Sequence, residues 1–212
     1  MTSAHEGSIV VQGTGRVSVV PDVADLRLGV SIARLTVAEA RQDAATVMAS
    51  ILAAVESAGV ARRDIRTTLL SVQPRYEYRD NQPPLLSGYE LANVVEVTVR
   101  DLGSLGDVID GSLRSGATSM DSLSFRLADP APAEREARML AMLNARSRAD
   151  VLAEAAAVRI TGVVSVVEDG AMPPPRPFMK AERMMMAADT GTPVESGSLE
   201  VAVSVTVSYR TS

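Results

Sequence analysis

The chain of 212 residues has no cysteine and no tryptophan, two phenylalanines, one histidine and a single lysine, Lys180. Without cysteine there is no disulfide framework, no thiolate nucleophile and no thiolate metal ligand. The lone histidine, His5, lies in a loose-looking opening stretch, where a serine–histidine relay would be poorly held. A zinc site would have to rest almost wholly on carboxylates, which suit calcium or magnesium better, and no carboxylate-dense loop with EF-hand spacing occurs. No catalytic set and no cofactor are therefore expected. No apolar run approaches the roughly 18 residues of a membrane helix, so no membrane span is expected. The opening residues lack a basic segment followed by an apolar core, which argues against a signal peptide and for a cytoplasmic protein. If the chain is a trimmed mature form, the reading becomes periplasmic or exported. A net charge of −5 argues against a general phosphate-binding surface, and hence against nucleic acid as a partner.

What the sequence has is aliphatic residues in strict alternation. From Leu199 to Tyr209, Leu, Val and Tyr alternate with Glu, Ala, Ser and Thr. Successive side chains leave a strand on opposite faces, so this is one strand with a dry and a wet side, about 37 Å long at roughly 3.4 Å per residue. Ala24–Ile32 alternates in the same way. It follows Ile9–Val11 and Val17–Val20 across a Pro21-Asp22 turn, which reads as a hairpin. Gly13-Thr14-Gly15 interrupts the first of these strands and is expected to be a bulge or bend. It is not a phosphate loop, since no helix follows it.

Thr36 and Glu39 form a capping box, and Gly59 is a left-handed C-terminal cap, which together predict a helix over 36–58. Its apolar face carries Ala44, Val47, Met48, Ile51, Leu52 and Val55 at helical spacing. Extended segments at 65–78 and 89–100 flank a polar tip and predict a longer hairpin. A short helix over 102–113, a strand at 119–127, a long helix over 133–157 and a strand at 162–168 follow. A Pro/Met-rich insertion at 171–194 precedes the final strand. The architecture is α+β: long antiparallel strands in mixed sheets, with two long helices and one short helix packed on them. Two helix–strand units ending alike, at Glu56–Val60 and Glu154–Val158, point to two interleaved lobes.

Four groups of residues are candidates for function. Met179, Met184, Met185 and Met186 are neutral, soft thioethers of the kind that holds Cu(I), although methionine more often fills adaptable apolar contacts. Tyr76, Tyr78 and Tyr89 decorate the second hairpin beside Arg75 and Arg79, a combination that anchors protein interfaces. Phe178, Met184 and Met185 join them as expected contact residues. Asn144 and Arg148 fall within the apolar arc of the last long helix, defined by Ala137, Leu140, Ala141, Val151, Leu152 and Ala155. They are expected to be buried polar groups, or an arginine snorkelling to the rim.

The order and spacing of Val11–Asp22, Asp64–Thr67, Gly88–Leu102 and Ala145–Ala153, with the Pro-rich then Met-rich stretch before the last strand, resemble the SIMPL domain family, also called DUF541. The resemblance covers about residues 8–210, leaving 1–7 as a flexible N-terminus and 8–212 as one domain. It implies a bacterial protein of a family whose members are commonly exported, some of them assembling into ring- or channel-like homo-oligomers, loosely linked to envelope or oxidative stress, with no catalytic residues to carry over. A homo-oligomer is thus the expected state. The alternative is a protein that binds Cu(I), through the methionines, or a small molecule; which small molecule is unknown.

Overall fold

The computed structural model describes residues 7–169 and 192–212 in full, and the backbone of 176–178. The chain divides into two compact units. One comprises 22–126 and 192–196; the other comprises 7–21, 127–169, 176–178 and 197–212. All strand pairings in both are antiparallel.

The central unit is a four-stranded sheet in the order β3-β4-β2-β5, built from β2 (Val23–Arg34), β3 (Ile65–Glu77), β4 (Leu85–Val99) and β5 (Ser119–Arg126). One face is covered by α1 (Val37–Ser57) and α2 (Leu105–Arg114). The helix α1 starts where its capping box requires: Thr36 and Glu39 bond each other's backbone reciprocally. It ends at Gly59, whose φ of +94° is the left-handed conformation that glycine adopts without steric cost. Ala40, Ala44, Met48, Ile51 and Val55 recur at helical spacing and are buried against Leu26, Leu28, Val95 and Val97.

The second unit is a sheet in the order β1-β8-β6, with the short β7 also on β8. Its strands are β1 (Gly7–Val19), β6 (Ile160–Glu168), β7 (Arg176–Phe178) and β8 (Ser198–Thr211). Here β8 is the alternating strand of the sequence: Leu199, Val201, Val203, Val205, Val207 and Tyr209 are all buried. They lie under α3 (Ala131–Ala155).

Three expectations are corrected. The strands β1 and β2 do not form a hairpin, because β1 pairs with β8 while β2 pairs with β4 and β5. Each strand goes to the sheet beneath the helix that its dry face fits. There is also no bulge at Gly13-Thr14-Gly15, since β1 runs in unbroken register from Gly7 opposite Thr211 to Val19 opposite Leu199.

The glycines serve helix packing instead. A Cβ on Gly13 would lie 2.6 Å from the Ala145 backbone nitrogen, and one on Gly15 would lie 2.5 Å from that of Ala141. The third correction concerns α3 itself. Its buried residues are Ala133, Ala137, Ala141, Ala145, Ala149 and Ala153, whereas Leu140, Val151 and Leu152 are exposed. A four-residue spacing drifts about 40° per step on a helix of 3.6 residues per turn, so the alanine stripe winds obliquely over β1 and β8. Alanine facing glycine lets two backbones approach where leucine would hold them apart.

Candidate functional site

Asn144 and Arg148 flank that alanine stripe. The Asn144 Oδ1 accepts the Thr14 backbone N–H at 3.1 Å, and the Arg148 Nη1 donates to the Gln12 carbonyl at 2.9 Å. As β1 has, among the described residues, a strand neighbour on one side only, its backbone would otherwise leave polar groups to be satisfied elsewhere. The two side chains therefore cover an edge strand from the helix above it. Neither is deeply buried: Asn144 is half-buried, against the expectation of a buried polar group, and Arg148 is exposed with its head group at the rim. The reason is that their partners lie at the rim of the sheet and not beneath the helix.

The face of the central sheet opposite α1 is polar. Asp25 on β2 accepts from the Arg126 Nε at 2.6 Å and from the Thr98 hydroxyl at 2.7 Å. Arg66 pairs with Glu96 across β3 and β4 at 2.7 Å, and Arg100 pairs with Asp64 at 2.8 Å. With Arg63, these groups, Arg100 excepted, line an open concavity of about 420 Å³. Burial alone would push the Asp25 carboxyl up, but the hydrogen bonds from Arg126 and Thr98 and the Arg126 charge outweigh it and hold the pKa below its ordinary value. The Arg100 hydrogen bond does the same for Asp64 against a smaller effect of burial. Carboxylates tied up in this way are poor general bases at neutral pH, and the network acts as a set of cross-strand staples. Two buried polar atoms, Arg27 Nε and Asn93 Oδ1, have no hydrogen-bond partner among the described residues.

The third feature is a ribbon. Pairing of β2 with β4 stops at Arg34 opposite Tyr89, but β3 and β4 continue together to Glu77 opposite Leu85. Beyond the end of β2 the sheet is thus two strands wide on this side. Tyr76, Leu85 and Leu86 on the ribbon, and Tyr78 just past it, are 46–78% exposed. Tyr89, at its root, is half-buried. Along β3, Leu69, Leu70 and Val72 are exposed as well. Alternation in the sequence marks the hairpin; that its aliphatic residues stay uncovered follows only from where β2 ends.

The remaining expected site residues cannot be placed in this way. Met179, Met184, Met185 and Met186 lie outside the described residues, and Phe178 is described only as backbone in β7. Among the described residues, no group of three histidine, aspartate or glutamate side chains gathers as metal ligands, and no helix is long and apolar enough to cross a membrane.

Two antiparallel sheets, each backed by helix, define an α+β protein. The chain belongs to the SIMPL family, described as a protein of unknown function (DUF541), whose model matches residues 9–209. It is 33% identical to the 26 kDa periplasmic immunogenic protein of Brucella melitensis over 95% of this chain and 84% of that one. It is also 34% identical to the uncharacterized protein YggE of Escherichia coli, over 85% of this chain and 72% of the relative. A further YggE, from Edwardsiella ictaluri, is 31% identical over 74% of this chain and 66% of its own. None of these names describes an enzyme.

Proposed function

We propose that this chain is a non-enzymatic protein of the bacterial envelope that works by assembling with copies of itself. The β3–β4 ribbon is the contact element of this reading, and its exposed Tyr76, Tyr78, Leu85 and Leu86 carry the argument. An isolated two-stranded ribbon is marginal in water, and exposed apolar side chains on both its faces, with Tyr76 opposite Leu86 on one and Leu85 on the other, suit association. Tyrosine suits such a contact because its ring is apolar while its hydroxyl tolerates water. The periplasmic setting is supported by the Brucella relative's name. An enzymatic reading has no support in the polar face, whose Asp25, Asp64 and Glu96 carboxylates are each held by an arginine.

The test is the native mass of a triple variant, Tyr76→Ser/Tyr78→Ser/Leu86→Ser, by light scattering. The reading expects a smaller assembly than wild type with an unchanged far-UV circular dichroism spectrum. An unchanged mass would remove the ribbon from the interface.

A further inference from the structure

The two edges of the β1-β8-β6 sheet are treated differently. Asn144 and Arg148 cover β1, as described above. At the other edge β6 has β8 on one side and, among the described residues, no strand on the other. Every residue from 161 to 169 is exposed, and Val163, Val164, Val166 and Val167 each keep 49–56% of their surface. Between Ile160 and Val167 there is no charge and no proline. Soluble proteins commonly protect edges with lysine, proline or a covering element, because an open apolar edge invites another strand. Two bulges bend β6, a partial protection, yet Ser165–Glu168 stays in regular register with Ser208–Val205.

The sequence of this edge identifies its occupant. Val163-Val164-Ser165-Val166-Val167 reads the same in both directions. Two copies related by a two-fold axis must contact through one self-complementary patch, and adjacent strands related in that way run antiparallel. With the axis at Ser165 and β6 drawn straight through the bulge it makes at Val164 against β8, Val163 faces Val167, Val164 faces Val166, and Ser165 faces its own counterpart. Glu168 falls opposite Gly162, so no like charges meet. A slip of two residues in either direction sets a valine against Glu168 or Gly162, which disfavours other registers. We infer that β6 is an isologous contact at which a second copy of this chain extends the sheet, through β6 to β6. This adds a second surface to the self-assembly reading, in the other unit, and is tested apart from the ribbon.

The absence of native cysteine makes one substitution decisive. Ser165→Cys is placed on an exposed position and leaves the valines intact. Oxidised glutathione at micromolar protein should convert the two facing thiols to one disulfide, giving a dimer on a non-reducing gel that reductant reverses. The dimer should form at least tenfold faster than with the control Val20→Cys, also an exposed site. Adding Val164→Lys/Val167→Lys should abolish the difference, while adding Tyr76→Ser/Tyr78→Ser/Leu86→Ser should leave it. Equal rates for the two cysteine variants, or a rate unaffected by the lysines, would overturn the β6 contact. Loss of crosslinking with the ribbon variant alone would assign the association to the ribbon and likewise overturn it.

Discussion

Asn144 on α3 and Thr14 on β1 are 130 positions apart in sequence, and the amide oxygen of the first accepts the backbone N–H of the second at 3.1 Å. With Arg148 on the Gln12 carbonyl, this contact fixes the helix to one edge of its sheet. Asn144→Leu keeps the branching of the side chain and leaves the Thr14 N–H without its partner, at a cost of about 1–3 kcal/mol. Thermal unfolding should show a Tm lower by roughly 2–4 °C per kcal/mol for a chain of this size. Arg148→Met should cost less, because its head group is exposed and water can replace it.

The alanine–glycine packing gives a second contrast. Gly15→Ala forces α3 off β1, since the new Cβ would meet the Ala141 nitrogen at 2.5 Å. Overpacking of this kind costs about 1–3 kcal/mol or more. Gly162→Ala, with nothing within 4 Å of its Cβ and no positive φ, should be neutral or slightly stabilising, because it restricts the unfolded chain. Urea unfolding midpoints of the two variants should move in opposite directions from each other, or the first alone should move.

Acid stability should depend on Asp25. Its folded pKa lies below the ordinary value, so the unfolded chain takes up a proton at higher pH than the folded one. The stabilisation is therefore complete above the unfolded value, about 3.9, and is lost as pH falls through the lower folded value. Asp64 contributes in the same direction. Denaturant midpoints measured from pH 7 to pH 2 should fall steeply below about pH 4 for wild type. The Asp25→Asn variant should be less stable at pH 7 and show a shallower acid limb.

Asn93 offers a substitution in the favourable direction. Its Oδ1 is buried without a partner among the described residues, on the face of β4 that also carries Leu91, Val95 and Val97. Asn93→Leu removes the unpaired group while keeping the branching of the side chain and should raise Tm, by the equivalent of about 1 kcal/mol. A fall in Tm would mean that the amide is satisfied in solution.

The elements themselves were legible because their signals are local. The alternation in 199–209, the Thr36–Glu39 capping box and Gly59 each act within a few residues, and each appears where the sequence puts it. Pairing was not legible, since β1 and β2 alternate equally well and nothing within either says which helix it faces. The glycines of β1 were misread for the same reason: a missing Cβ looks like a bend until the helix that needs the space is known. Of the alanine stripe of α3 only Ala137 and Ala141 stand out in the sequence, because alanine is a weak apolar signal beside Leu140, Val151 and Leu152, which the close approach leaves outside. Of the candidate site, the tyrosine hairpin was visible as a pattern. The valine repeat of β6 was present in the sequence but acquires meaning only once β6 is an edge.

Self-association is the central claim, and sedimentation equilibrium of wild type across a dilution series from tens of micromolar tests it most directly. A chain of 22.3 kDa should sediment as a multiple of that mass at the upper end and dissociate on dilution or hold a fixed multiple throughout. A mass of one chain at every concentration would contradict the account.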